Sequence, residues 1–441
     1  MTHEMVKSLF CSAVSSVAHS ISKYVVNPSK DFTRNRKLPA DSVLTFLVSE
    51  GSLSTKNEML DFFGMNVDKP TDSALNQQRD KLLPEAVEAV FNTFNLSLDS
   101  MLPPPSYRFL AIDGSTATFF SSLKFSDPEY YVDEGHSSKG FFSIHINAFY
   151  DLDRHTYTDA LLQPVHNKNE FSAFCEIVDR HPVLPGSYNV YIGDRGYCSY
   201  NNMAHVIEKQ QFFLFRAKDI HSKGLVGKFD YPDEESFDIS VTVTLVRSHS
   251  AKISTPDAYR RFVDKATSFD FIEYGSSDTY TLSFRIVRFL ITDTDYECVV
   301  TNLPKTDFPM EQIKKLYYRR WGIETSFRKL KYTIGLSNFH SYKPAYVSQE
   351  IWARLIAYNV SETIISATVL DKKDTKHSYK VNFSIAVHIC RAFLRPSAEK
   401  CPIDVAALLK KELIPIRNDR RFDRLQTAHF RKPRYFIYRG A

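Results

Sequence analysis

The 441-residue chain predicts an α/β fold with helical flanks. Three observations predict it. Between Tyr107 and Arg216, apolar strand-like runs alternate with helical stretches. Residues 1 to about 100 and the last hundred read as helical. Between Arg216 and Pro304 the helical pattern gives way to β-branched runs. Hydrophobic residues make up 43% and aromatic residues 14%, enough for a sizeable core in two or three domains and too much for a disordered chain.

The N-terminal stretch to Val26 reads as a short amphipathic helix. It lacks a basic region ahead of an apolar core, so it is not a signal peptide, and no apolar run reaches the ~18 residues of a membrane span. Phe32–Lys37 (FTRNRK) is basic. Helices are predicted over Asp41–Glu50, over Ser54–Phe63, over Asp72–Leu83 and from Pro84 to about Phe94. Thr55 and Glu58 are spaced as a capping box, Gly64 is a stop, and Pro84 suits a first turn. The third of these helices carries Asn76, Gln77, Gln78 and Arg79, side-chain types that pair with base edges. Asn76, Gln77 and Arg79 are therefore candidate DNA contacts; the alternative is a helical subdomain with a polar outer face. Pro103–Pro105 mark a boundary.

Tyr107–Ser115 (YRFLAIDGS) predicts a strand that ends at Asp113 and turns at Gly114. Phe141–Leu152 and Arg154–Leu162 pair across a turn at Asp151–Asp153, and Asn169–Arg180 is a helix. Ser187–Tyr197 (SYNVYIGDRGY) is a strand that delivers Asp194. A helix over Asn201–Gln210 and a strand over Gln211–Arg216 follow. This order of strands and helices matches an RNase H-like core. An acid at the carboxyl end of an apolar strand lies where open α/β sheets keep their sites, although many such strands are only entering a turn. His136, His145 and His155 lie in or beside the sheet and read as structural. Pro309 opens a helix to about Tyr332. Further helices are predicted over Val347–Leu370, Asn382–Leu394 and Asp404–Leu413.

The helix over Tyr317–Lys331 (YYRRWGIETSFRKLK) carries the most specific pattern. At about 100° per residue, Tyr317, Arg320, Glu324 and Lys331 point at roughly 0°, 300°, 340° and 320°, an arc of about 60°. One reading is a solvated face with an i,i+4 ion pair. The other is a metal-binding carboxylate flanked by cations that hold phosphates. Strand-Asp, strand-Asp and helix-Glu, in that order, are what a two-metal phosphoryl-transfer site needs.

The helix reads Tyr-x2-Arg-x3-Glu-x6-Lys without a gap. It resembles the signature of bacterial insertion-sequence transposases of the DDE, RNase H-like (retroviral integrase) type, and the IDGS and GDRGY contexts resemble that group's two catalytic Asp. The resemblance covers roughly Leu38 to Tyr342. It implies a helical DNA-binding region (1–102), an RNase H-like core (103–216 and 305–342) split by a β-rich insertion (217–304), and a helical C-terminal region (343–441). It implies that Asp113, Asp194 and Glu324 are the catalytic, metal-holding residues, with two Mg²⁺ ions or Mn²⁺ in their place. Tyr317, Arg320 and Lys331 would hold DNA phosphates, with Arg195 a further candidate. Trp321 either stacks on a base or is a core residue. The implied activity is cleavage at the ends of an insertion sequence followed by strand transfer into target DNA. Its partners would be the terminal inverted repeats, target DNA and a second copy in the synaptic complex. Some relatives use a Trp of the insertion to support an extruded base, but here Trp occurs only at 321 and 352.

Net charge is +5, and residues 410–441 carry ten Lys/Arg against three Asp/Glu, so the remaining chain is net −2. The tail suits phosphate contact or is simply a solvated end. The six Cys form no C-x-x-C pair, so no zinc site of that kind is signalled, and their scatter fits a reduced cytoplasmic protein. Rival readings are a catalytically inactive DNA-binding protein on the same fold, a metal-dependent nuclease without strand transfer, and a two-carboxylate glycosidase. The last has no need of Arg320 and Lys331 beside Glu324.

Overall fold

The computed structural model describes residues 1–416 except 35, 121–126, 134–139, 228, 250–258, 293–294, 370–377 and 397–401. His136 and most of the basic tail lie outside the described residues.

Five helices open the chain: α1 (His3–His19), α2 (Ala40–Ser49), α3 (Thr55–Phe62), α4 (Asp72–Arg79) and α5 (Pro84–Met101). Several depart from the sequence reading: α1 ends at His19 rather than near Val26, and α5 runs on to Met101 rather than about Phe94. The cap of α3 is Ser54, one residue earlier than the Thr55 box, and Glu58 instead accepts from the Leu53 N–H at 3.0 Å. The α4 helix stops at Arg79, four residues early. Residues beyond it pair with the chain after α1, Leu82 bridging Val25 and the Leu83 N–H donating to Tyr24 O.

The strands β1 (Tyr107–Phe120), β2 (Tyr131–Val132), β3 (Phe141–Asp151) and β4 (Thr156–Pro164) come next. Then follow α6 (Glu170–Arg180), β5 (Tyr188–Gly193), α7 (Tyr200–Glu208) and β6 (Phe212–Arg216). Side by side these strands run β4-β3-β1-β5-β6, antiparallel through β1 and parallel from β1 to β6. The predicted insertion forms β7 (Phe237–Val246), β8 (Arg260–Phe262), β9 (Thr279–Leu290) and β10 (Tyr296–Thr301). It does not stand apart: β10 pairs with β6, so its strands prolong the same sheet in the order β6-β10-β9-β7-β8.

The β1 strand does not turn at Gly114. Its pairing with β3 runs unbroken to Phe120↔Phe141, whereas its parallel pairing with β5 ends at Ala111↔Ile192. Asp113 is therefore mid-strand, just past the point where one neighbour stops. Glycine is required beside it, because a Cβ at Gly114 would come 2.6 Å from His145 Nε2.

The chain closes with α8 (Met310–Arg319), α9 (Trp321–Lys329), α10 (Pro344–Ser366), α11 (Phe383–Leu394) and α12 (Val405–Lys411), with a small ribbon of β11 (Tyr379–Val381) and β12 (Leu413–Pro415). The predicted single helix over Tyr317–Lys331 is broken. Arg320 sits between α8 and α9, where its N–H bonds back only three residues to Tyr317 O, and Ile323 N–H does the same to Arg320 O. A π-helical turn, Leu330–Ile334, follows α9 and ends at Gly335 with φ +96°, a conformation that favours glycine.

Two cores flank the sheet. One holds Ala111, Val190 and Ile192 together with side chains of α1, α2, α5, α9, α10 and α11; the other holds Leu110, Ile112 and Tyr191 with α6 and α7. The α10 helix runs through the first core and is buried on nearly every side. Its polar residues survive burial because each finds a partner: Glu350 with Arg79, Asn359 with Tyr157 and Asn95, Glu362 with Lys329. Among the described residues, no helix is long and apolar enough to cross a membrane.

Candidate active site

Strand alternation decides where the two aspartates point. Ala111 and Ile192 face the first core; Asp113 lies two residues on within β1, and Asp194 lies just past the end of β5, close enough to act on the Asp113 carboxyl. The α9 helix packs on that face through Ile323 and Phe327, and Glu324 lies between them in sequence. The Tyr157 hydroxyl, 2.8 Å from Ser326 Oγ, ties α9 to β4. The three acids predicted from sequence thus converge on one end of the sheet.

Their electrostatics agree. Asp113 is largely buried, and its carboxyl is pushed up to about 6. Burial is the main cause; the Gly114 N–H and Arg320 oppose it, while Asp194 and Glu324 add to it. The carboxylate oxygens of the three do not all lie within 4.8 Å of one another. Each is held by a local donor, Asp113 Oδ1 by Gly114 N–H at 2.8 Å, Asp194 Oδ1 by Gly196 N–H at 2.7 Å and Glu324 Oε1 by Arg320 at 3.0 Å. Three mutually repelling carboxylates, one with an ordinary acid's affinity for its proton raised, are a donor set that a hard divalent cation fits.

One prediction follows from Asp113. A carboxyl raised from 3.8 to about 6 stabilises the fold fully below pH 3.8 and loses that contribution as pH rises through about 6. Asp113→Asn lacks this slope. In chelator, its stability relative to wild type should rise between pH 4 and pH 7 by on the order of 3 kcal/mol. Saturating divalent cation should erase the difference; denaturation midpoints at the two pH values check both.

The cations are placed unevenly. The Arg320 guanidinium is buried, pairs with Glu324 and lies over the Trp321 ring at 5.0 Å. Lys331 is half-buried, and its amine is pulled down by burial against the opposing pull of Asp113. Trp321 is 54% exposed, which excludes the core reading. Arg195 is exposed. Tyr317 is as buried as Arg320 beside it, at 3% against 6% exposed, and burial pushes its phenol up to about 12. Glu297 on β10 was not foreseen. It is buried, pairs with Arg216 at 2.8 Å and is felt by Arg320 and Arg195. An acid inside the apolar run YECVV was its signal in the sequence.

The N-terminal candidates separate. Asn76 and Gln77 are exposed on α4. Arg79 is 2% exposed, with its guanidinium on Glu350, Gln349 and Tyr346 O at 3.1, 3.2 and 3.2 Å, so it cannot read a base and is a structural residue.

The profile of the transposase DDE domain family matches residues 104–360, and the chain belongs to that family. Those residues contain the two strand aspartates and Glu324. A 55-residue stretch is 42% identical to transposase InsG for insertion sequence element IS4 of Escherichia coli (strain K12), covering 12% of either chain. A 168-residue stretch is 24% identical to y4zB, a provisionally named transposase of Sinorhizobium fredii (strain NBRC 101917 / NGR234), covering 38% of this chain and 40% of that one. The chain thus spans less than half the length of either relative. A piggyBac transposase in a synaptic complex with hairpin DNA superposes with a TM-score of 0.44 and 10% identity over 91% of this chain and 82% of that one, a likeness too loose to carry inference.

Proposed function

We propose that the protein is an insertion-sequence transposase that cleaves DNA at the element's ends and transfers the resulting 3′-hydroxyl to target DNA. The observation that carries this is the convergence of Asp113, Asp194 and Glu324 on one sheet end with Arg320 and Lys331 beside them. The strand order β4-β3-β1-β5-β6 supports an RNase H-like core. Family membership brings a general dependence on divalent metal; two Mg²⁺ ions, replaceable by Mn²⁺, are the specific proposal.

Asp113, Asp194 and Glu324 would hold the cations, which when bound supply Lewis-acid activation of the attacking oxygen and neutralise charge at the leaving oxygen. Arg320 and Lys331 would hold phosphates flanking the scissile bond, Arg320 with a planar fork suited to them. Exposed Arg195 lies beside Asp194 and adds a further phosphate contact. Asn76 and Gln77 are the side chains through which the N-terminal helices would meet the terminal inverted repeats. Joining two ends calls for a dimer on DNA.

The exposed Trp321 would stack on a nucleotide base. Trp321→Ala should weaken binding of the end DNA by roughly tenfold, since such stacking contributes ~1–3 kcal/mol per base. The melting temperature should hold, because the ring is mostly in solvent. Fluorescence anisotropy and a thermal melt on one preparation check both.

The deciding experiment is Mg²⁺-dependent cleavage and joining of the DNA that flanks this gene in its source. Cleavage with strand transfer supports the proposal. Cleavage without joining makes the protein a nuclease. Binding without chemistry makes it an inactive DNA-binding protein.

A further inference from the structure

The sequence holds no C-x-x-C pair, yet the fold assembles a mixed donor set against the second core. Cys175 on α6, His205 on α7 and Asp270 in the segment between β8 and β9 offer a sulfur, an imidazole nitrogen and a carboxylate oxygen, all within 4.8 Å of one another. They come from three elements far apart in sequence, so no local motif announces them.

The histidine lies between two carboxylates. Its Nδ1 is 3.1 Å from both carboxylate oxygens of Asp179, and its Nε2 is 2.9 Å from Asp270 Oδ2. An imidazolium would donate to both; with one proton on Nδ1, given to Asp179, the ring offers Nε2 to a cation shared with Asp270. A carboxylate on the far nitrogen is also the support that metal-ligating histidines carry. The other donors are held in place too. Asn201 donates to Asp270 Oδ2 at 2.8 Å and reaches Cys175 Sγ at 3.6 Å, and Asn202 Oδ1 lies 3.4 Å from that sulfur. Phe271 meets the His205 ring edge-on at 5.0 Å, an apolar wall on one side.

We propose that Cys175, His205 and Asp270 bind one zinc ion, with water in the fourth position. Thiolate, imidazole and carboxylate together select zinc over the magnesium that an all-carboxylate site takes. On binding, the Cys175 thiol gives its proton to solvent. The ion pins the segment before β9 to α6 and α7, and so fastens the β7–β10 extension to the rest of the sheet. This site is independent of the catalytic reading.

The test uses the full chain, stripped with chelator and titrated with Zn²⁺ or Co²⁺. Wild type should take up one tightly held equivalent, show the thiolate-to-cobalt charge-transfer band, and melt at a higher temperature with zinc. Cys175→Ser should lose the band. Asp270→Asn, a near-isosteric change at a mostly exposed side chain, should bind at least about tenfold more weakly, and Asp179→Asn roughly 10- to 100-fold more weakly. Glu324→Gln should keep both band and stoichiometry, which separates this site from the acids of the catalytic face. No cobalt band in wild type, or unchanged zinc affinity in Asp270→Asn, overturns the proposal; the second criterion holds even if Cys175→Ser fails to fold.

Discussion

Glu324→Gln should abolish metal-dependent cleavage and joining, lowering the rate by about a thousandfold or more. A carboxylate that holds catalytic cations contributes several kcal/mol to the transition state, and about 4 kcal/mol is a factor of roughly a thousand. The substitution is gentle elsewhere. The Gln amide oxygen can still accept from Arg320, now 3.0 Å from Glu324 Oε1, and the side chain stays part-exposed. Fold and DNA affinity should therefore remain within a few-fold of wild type. Single-turnover cleavage beside a binding isotherm makes the measurement. Equal cleavage by both proteins would remove Glu324 from the site, and Asp113→Asn and Asp194→Asn would then show whether the aspartates act without it.

The second large effect is on stability. Arg79→Ala should cost about 3 kcal/mol, because it takes one of two close cations from the fully buried Glu350, leaving His340, and removes the donor to Gln349 and the Tyr346 carbonyl. It also removes the guanidinium from the face of Tyr346, 4.3 Å away. Gln77→Ala, two residues earlier and exposed, should stay within about 0.5 kcal/mol. Urea unfolding of the pair gives the contrast, and equal stability would mean that the Arg79–Glu350 contact contributes nothing. The network has a pH signature as well. Against the opposing effect of burial, Glu350 is held down at about 2 by His340 and then Arg79, and His340 is held up at about 9 by Glu50 and Glu350. The Glu350 contribution is complete above its ordinary 4.5 and fades as pH falls toward 2; that of His340 is complete below 6.5 and fades as pH rises through about 9. The Glu350 and His340 contributions are both complete between pH 4.5 and 6.5, while Glu50, raised by burial, works against them as pH climbs above its ordinary 4.5.

Much of this was legible in the residues. Apolar runs ending in Asp113 and Asp194 gave β1 and β5, and Pro309, Glu324 and the intervening periodicity gave α8 and α9. What escaped had a long-range cause. The turn expected at Gly114 is absent because β3, some thirty residues on, pairs with β1 to its end. The break at Arg320 and the π-helical turn are invisible to a 100° wheel. Arg79 looked like a base reader because its partner Glu350 lies 271 residues away. The β-rich insertion expected over 217–304 adds its strands to the β6 edge, a pairing that its sequence does not announce.

The burial of α10 among helices from both ends of the chain has a mechanical meaning. The N-terminal helices reach the sheet through solid packing and paired charges, with no slack tether between. In the proposed reaction, any base touched by Asn76 or Gln77 and the phosphodiester held at Asp113 and Asp194 are the two jaws of one caliper. The position of the cut would then be gauged by the stiffness of the core, and loosening α10 should blur where the DNA is cut before it slows the cutting.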